Sequence, residues 1–367
     1  MKSFDQAPFL VIWEVTQACD LACVHCRASA ISCRHPQELS TEEGFALLRT
    51  IKSFGEPLMV FTGGDPLKRP DLEQLLRFSV NSGLRTTVTP SATPLLTAEA
   101  VRMIQRCGVA RMAISLDGPD AATHDGFRRT PGSFATSLRA LESARRMGLE
   151  TQVNTTVTRH NVNDLARIAD QVAETGARLW SVFFLVVTGR ASREDDLEPQ
   201  EYEDVFRFLY ELSKVAPFDI KTTEAQHYRR YVAQRRKAEG AAHNGKSGAT
   251  DIIPRQAGIN DGKGFVFISH TGEIYPSGFL PISAGNVRRD SLVNVYRDSR
   301  LFRRLREPDA FEGKCGVCEY RHLCGGSRSR AFALTGDPFG SDPRCVYEPP
   351  VRRRGSPDSP LKVAALA

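Results

Sequence analysis

The chain has 367 residues, 41% of them hydrophobic and 25% charged, which is long for one small core and ordinary for a globular protein. No apolar run approaches the roughly 20 residues that cross a bilayer, and residues 1–8 lack the basic patch and apolar stretch of a secretory signal, so a cytoplasmic protein without a membrane partner is expected. The 49 basic and 43 acidic residues leave a net charge of +6, which suits an anionic substrate or an acidic partner and falls short of nucleic-acid binding.

Strand-like runs at 9–16, 58–62, 84–89, 110–116, 151–156 and 179–187 are rich in Val, Ile, Thr and Phe. Helical patterns lie between them, at 41–54, 71–82, 98–107, 134–147 and 164–175. Ser40 and Glu43 form a capping-box pattern, and Gly55, Gly83, Gly108, Gly148 and Gly176 follow the helices where a left-handed cap wants glycine. Strands separated by helices predict a parallel α/β sheet with right-handed crossovers. Six such units are too few for a closed eight-stranded barrel, so residues 1–197 are expected to form a partial (βα)6 barrel with its reactive groups at the carboxyl ends of the strands. Residues 198–263 read as a helical, charged and then flexible linker, 238–263 being rich in Gly, Ala, Asn and Lys. A hairpin across His270-Thr271-Gly272 opens a small Cys-rich domain over 264–348, and the tail 349–367 is expected to be disordered.

Seven of the nine cysteines fall into two groups, one near each end, as metal-binding thiols do in a reducing compartment; a disulfide framework fits an odd number in a large chain poorly. Directly after the first strand, Cys19, Cys23 and Cys26 form a CxxxCxxC run. Thiolates are soft ligands for iron–sulfur clusters, and three of them can hold three corners of a cubane while one iron stays open. A zinc site with His25 as fourth ligand, or three buried thiols, are the alternatives. Cys33 and Cys107 lack partners at useful spacing and read as ordinary buried or helical thiols.

CxxxCxxC opening a set of βα units resembles the radical S-adenosylmethionine superfamily, over roughly residues 9–348. The resemblance implies an enzyme with a 4Fe–4S cluster whose open iron is chelated by the amine and carboxylate of S-adenosyl-L-methionine. Reductive cleavage then gives a 5′-deoxyadenosyl radical that abstracts hydrogen from substrate. It also implies an electron donor such as flavodoxin or ferredoxin. His25 stands where the family usually has an aromatic residue.

Further motifs fit a bound cofactor. Gly63-Gly64-Asp65-Pro66 follows the second strand; the glycines allow close backbone approach and Asp65 offers a carboxylate. The family has a GGE-type motif there that holds the methionine amine, although such a run alone is commonly a turn. Ser115 and Asp117 alternate onto one face of the fourth strand end, where they suit ribose hydroxyls or the methionine carboxylate, or merely close an Asp-Gly turn. Arg128, in the run 124–134, is placed by the resemblance near the cofactor carboxylate. Asn154 on the fifth strand would bond the adenosine moiety or satisfy backbone groups.

The second group comprises Cys315, Cys318, Cys324 and Cys345. Alone it suits zinc as well as a cluster. Its spacing resembles the SPASM extension of radical enzymes, which implies one auxiliary 4Fe–4S cluster, fully ligated and hence electron-transferring or structural. The family's nearer auxiliary cluster is not expected, because Ser277 and Arg328 stand where ligands are usual. Residues 183–190 (FFLVVTGR) and 324–345 are similar to enzymes that modify haem and haem d1 precursors, and related SPASM enzymes modify peptides. Tetrapyrrole carboxylates would suit Arg190, Arg328 and Arg330, which equally read as surface residues. A first strand starting near residue 9 leaves no room for an N-terminal peptide-binding domain, which favours a small or tetrapyrrole substrate over a peptide. The contrasting class is a non-enzymatic zinc module for nucleic acid or protein.

Overall fold

The computed structural model describes residues 4–240 and 258–350. Most of the segment expected to be flexible, 241–257, and the tail from 351 lie outside the described residues. The first six strands stand where the sequence puts them: β1 (Leu10–Glu14), β2 (Leu58–Thr62), β3 (Arg85–Val88), β4 (Arg111–Ser115), β5 (Thr151–Val157) and β6 (Leu179–Phe184). They pair parallel in chain order, with helices α1 (Thr41–Lys52), α2 (Leu72–Asn81), α3 (Ala98–Arg106), α4 (Ala121–Arg128), α5 (Ser133–Arg146) and α6 (Leu165–Thr175) in the crossovers. The capping box at Ser40 and Glu43 is formed, and Gly176 closes α6 at φ 70°, a left-handed conformation that costs glycine little.

The sheet is larger than the sequence suggests. Residues 198–237, read as helical throughout, contain α7 (Pro199–Leu212), a seventh parallel strand β7 (Asp219–Thr223) and α8 (His227–Ala238). The hairpin of β8 (Phe265–Ile268) and β9 (Ile274–Tyr275) forms as expected, but it joins the same sheet. β8 runs parallel to β1, Leu10 opposite Phe265, giving the order β7-β6-β5-β4-β3-β2-β1-β8-β9. The sheet is open, with β7 and β9 at its edges. Among the described residues the hairpin is followed by α9 (Leu292–Asp298), α10 (Arg300–Leu305), α11 (Gly313–Val317) and α12 (Arg328–Thr335).

Strand alternation sorts the two faces. Val11 and Trp13, Met59 and Phe61, Met112 and Ile114, Val153, and Trp180 and Val182 join Leu47, Leu48 and Ile51 of α1 in one buried core between sheet and helices. The intervening positions (Glu14, Thr62, Ser115, Asn154 and Phe183) face the opposite way, into the concave side of the curled sheet. Polar residues on that face at the strand ends position the site. Among the described residues no helix is long and apolar enough to cross a membrane.

Candidate active site

The concave face opens at the carboxyl ends of the strands into a cavity of about 200 Å³. Cys19, Cys23 and Cys26 all line it, carried on the loop after β1, and all three are free thiols. Each thiol faces one nitrogen donor. The N–H of Leu21 points to Cys19 Sγ at 3.4 Å and that of Ala30 to Cys26 Sγ at 3.4 Å, while Arg128 Nη1 reaches Cys23 Sγ at 3.6 Å. Such donors stabilise sulfur as thiolate and tune a metal bound to it. Burial pushes the free Cys19 thiol up to about 11, so a metal taking it as thiolate displaces a proton.

Gly63 and Gly64 also line the cavity, and their backbone is stitched to the cysteine loop. Gly64 N–H donates to Thr16 O at 2.8 Å and Asp65 N–H to Ala18 O at 2.6 Å. A Cβ on Gly63 would stand 2.6 Å from Thr16 O, so this glycine lets strand and loop touch, whatever else it touches. Asp65 is fully buried and does not line the cavity. Its carboxylate accepts from Thr93 Oγ1 (2.7 Å), Leu67 N (3.1 Å) and Ser91 N (3.3 Å), tying the Gly-Gly turn to the loop after β3. Burial, as the largest influence, holds its pKa above the usual carboxylate range.

Ser115 and Asn154 face the cavity side by side in register; Asn154 Oδ1 takes a hydrogen bond from Gln152 Nε2 at 2.7 Å. Asp117 does not line it. It is fully buried, accepts from Thr156 N at 2.7 Å and pairs with Arg128, whose Nε donates to Oδ2 at 2.7 Å. Burial opposes ionisation of Asp117, but the Arg128 charge prevails and its pKa is lowered. Arg128 thus presents the rest of its guanidinium to the cavity beside Cys23.

Sequence reading overlooked two contributors, His124 and Arg27, and named His25 only as an alternative zinc ligand or in place of the family's aromatic residue. His124 lines the cavity, and its Nδ1 accepts the Asp117 N–H at 3.0 Å, which leaves the proton on Nε2, a buried atom with no partner among the described residues. Burial lowers its pKa to about 4, so it stays neutral. His25 stacks on Phe127 with centroids 4.4 Å apart, and burial lowers its pKa to about 3. Arg27, next to Cys26, pairs with buried Glu14 and lies 4.6 Å over the Phe267 ring. Its place beside the third cysteine was the available signal.

The three arginines suggested for substrate carboxylates do other work. Arg190 Nε donates to Cys23 O (3.0 Å) and Nη1 to Ala30 O (3.1 Å), clamping the cysteine loop. Arg328 and Arg330 are not surface residues; both are fully buried. Arg328 binds Pro338 O (3.0 Å) and Gly340 O (2.6 Å), and Arg330 binds Asp342 (3.4 Å) with the carbonyls of Leu185 and Glu224. Short polar runs around glycines gave no sign that these side chains fold inward. Cys33 is exposed rather than buried, whereas Cys107 is buried at the end of α3.

Cys315, Cys318, Cys324 and Cys345 meet around a second cleft at α11. Asp342 N and Arg328 Nη2 lie 3.3 and 3.5 Å from Cys315 Sγ, and Gly326 N lies 3.3 Å from Cys324 Sγ. Burial raises the pKa of Cys324 and takes Cys345 to about 11. Ser277 is buried away from these thiols and bonds the Asp261 carboxylate. Among the described residues no three His, Cys, Asp or Glu side chains are gathered tightly around a single-ion site. Seven soft donors in two groups, most with N–H groups turned to sulfur, fit thiolate-bound iron–sulfur clusters.

The family model described as "Radical SAM superfamily" matches residues 13–172. An AdoMet-dependent heme synthase of Oleidesulfovibrio alaskensis is 42% identical over 342 residues, 93% of this chain and 87% of that protein. A protein of the same name from Methanosarcina barkeri is 38% identical over 95% of this chain and 99% of its own length. Streptococcus suis SuiB, solved bound to S-adenosylmethionine, shares the fold with a TM-score of 0.72 at 17% identity, over 93% of this chain and 78% of that one. A thiol loop and glycine turn at the mouth of an open parallel sheet, with similarity along nearly the whole chain, make this protein an enzyme of the radical SAM superfamily.

Proposed function

We propose that the enzyme forms haem-type products by hydrogen abstraction from a side chain of a tetrapyrrole precursor. The carrying observation is a cavity edged by three free thiols in a chain that is 42% identical, over 93% of its length, to a protein named AdoMet-dependent heme synthase. In this reading Cys19, Cys23 and Cys26 hold a 4Fe–4S cluster, and Cys315, Cys318, Cys324 and Cys345 hold one auxiliary 4Fe–4S cluster. Bound S-adenosylmethionine and its cluster supply the hydrogen-abstracting radical, on an electron from a donor such as flavodoxin or ferredoxin.

The chain's residues bind and orient. The Gly63-Gly64 backbone, Ser115, Asn154 and Arg128 line the cavity and contact the cofactor. Asp65 and Asp117 act one step back, Asp65 by fixing the glycine turn and Asp117 by aiming Arg128. Phe183, Val186 and Phe279 form an apolar wall that keeps water from the reacting centre.

The test is formation of 5′-deoxyadenosine by the anaerobically reconstituted, reduced enzyme, followed by mass spectrometry with tetrapyrroles or peptides added. Stimulation by carboxylated tetrapyrroles, with mass loss on the tetrapyrrole, is the expected result. Stimulation by peptides alone would replace this reading with a peptide maturase.

A further inference from the structure

Two rows of side chains cross the concave face in register. Ser115, Asn154, Ser181 and Lys221 stand side by side on β4 to β7, and Thr156, Phe183 and Thr223 follow one step nearer the carboxyl ends. Ser115, Asn154, Thr156 and Phe183 line the large cavity. Lys221 and Thr223 line a smaller one of about 60 Å³, closed by Gln226, Arg229 and Asn260. Strands lie about 4.8 Å apart, so Lys221 is roughly 10 Å from Asn154 on the same face. Residues of β6 line the large cavity and residues of the neighbouring β7 line the small one.

Among the described residues Lys221 is a half-buried cation with no acid paired to it. Among the described residues no acid and no hydrogen-bond acceptor meets its ammonium, and the charges that act on it are those of Arg229 and Arg111. Burial first, and these two cations next, lower its pKa to about 8. Three buried cations elsewhere are matched by an acid, Arg128 by Asp117, Arg230 by Glu203 and Arg330 by Asp342, while Arg328 is held by carbonyl oxygens. Glu224 and Asp261 share the small cavity's wall but are engaged elsewhere, Glu224 with Ser327 Oγ at 2.6 Å and Asp261 with Ser329 N at 2.8 Å. Burial raises the pKa of both, which lessens their negative charge. Gln226 Oε1 is buried, with no hydrogen-bond partner among the described residues. An ammonium that faces a small cavity among positive neighbours, with no acid paired to it, favours an arriving anion.

We propose that Lys221, backed by Arg229, is a specificity site that binds a carboxylate arm of a substrate lying in the large cavity. The smaller cavity, about 60 Å³ against about 200 Å³ for the larger, suits a carboxylate group better than a ring. The identity of the substrate, though not the anion site itself, rests on the tetrapyrrole reading above.

The test titrates anaerobic holoenzyme with iron coproporphyrin III, a tetracarboxylate, and with its tetramethyl ester, following the Soret band. Lys221→Met is expected to weaken binding of the acid about tenfold or more and to leave the ester unchanged, while Lys221→Arg restores the acid. Circular dichroism and iron content establish that both variants are folded and loaded. Equal affinity of wild type and Lys221→Met for the acid overturns the site and leaves the tetrapyrrole reading standing. If the wild type binds neither compound, the tetrapyrrole reading fails and the site is judged alone. Acetylation of Lys221 by acetic anhydride, read by peptide mass spectrometry, should then be slowed by excess propionate, and no protection overturns the proposal.

Discussion

Gly64 lies so close to Ala18 that a Cβ on it would stand 2.3 Å from the Ala18 carbonyl oxygen. The clash is with backbone one residue before Cys19, so a side chain here must push the cysteine loop. Gly64→Ala is expected to destabilise the fold by about 1–3 kcal/mol and to lower iron occupancy of the first site. Thermal unfolding and iron per chain, compared with the second site's spectrum, check this; a fully loaded variant of wild-type stability would contradict it.

The two cysteine groups are separate in the fold, so their losses should separate. Cys23→Ala is expected to abolish 5′-deoxyadenosine formation and to remove about half of the roughly eight irons that two clusters would carry. Cys318→Ala should lose the other half while substrate-free cleavage of S-adenosylmethionine persists at a measurable rate. Persistent cleavage in the Cys23 variant would refute the assignment of the first group.

Asp117 and Arg128 form an ion pair with the carboxylate fully buried. Asp117→Asn leaves Arg128 uncompensated and should cost about 3–5 kcal/mol at neutral pH. The native pKa of Asp117 is depressed, so its stabilisation is present above the unfolded value near 3.9 and is lost as pH falls through the lower native one. The gap between wild-type and variant unfolding midpoints should therefore be constant from pH 5 to 7. It should shrink below about pH 4. A constant gap down to pH 2 would remove Asp117 as the titrating partner.

Arg330 links α12 to the strand ends of β6 and β7 through Asp342 and the carbonyls of Leu185 and Glu224. Arg330→Met should cost about 3–5 kcal/mol. Arg330→Lys should rescue little of it, because an ammonium cannot reproduce a planar fork. Differential scanning fluorimetry of the two variants checks this. Unchanged midpoints, with a raised KM for a carboxylated substrate, would return Arg330 to the role first suggested for it.

Much of the fold was legible because the helix-facing side of β1 to β6 is mostly apolar, with Thr86, Thr151 and Thr155 as exceptions, and five of their helices end at glycine. β7 was hidden because Asp219, Lys221 and Thr223 face the concave side and every residue of the strand is half-buried, so neither alternation nor an apolar run marks it. The partner of β8 was out of reach because pairing with β1 joins residues about 255 positions apart, beyond any local pattern. The cysteine groups were readable from spacing. The hydrogen bonds of Asp65 to Thr93 and of Asp117 to Arg128 were not, because a carboxylate's partners on other loops leave no local pattern in sequence. Arg328 and Arg330 were misread for a related reason: side chains that satisfy carbonyls brought in from distant loops leave no local trace.

The pairing of β1 with both β2 and β8 also sets when the enzyme can be completed. The strand that carries the first cysteine loop has one bare edge until residues 265–268 leave the ribosome. At ~5–20 residues per second that is roughly 12–50 s after β1 itself emerges. During that interval the nascent chain exposes three thiols on an unfinished sheet edge, the kind of edge that recruits other chains. Metal loading before release would meet a pocket lacking Phe279, so the order of synthesis favours insertion of iron only after that residue has been made.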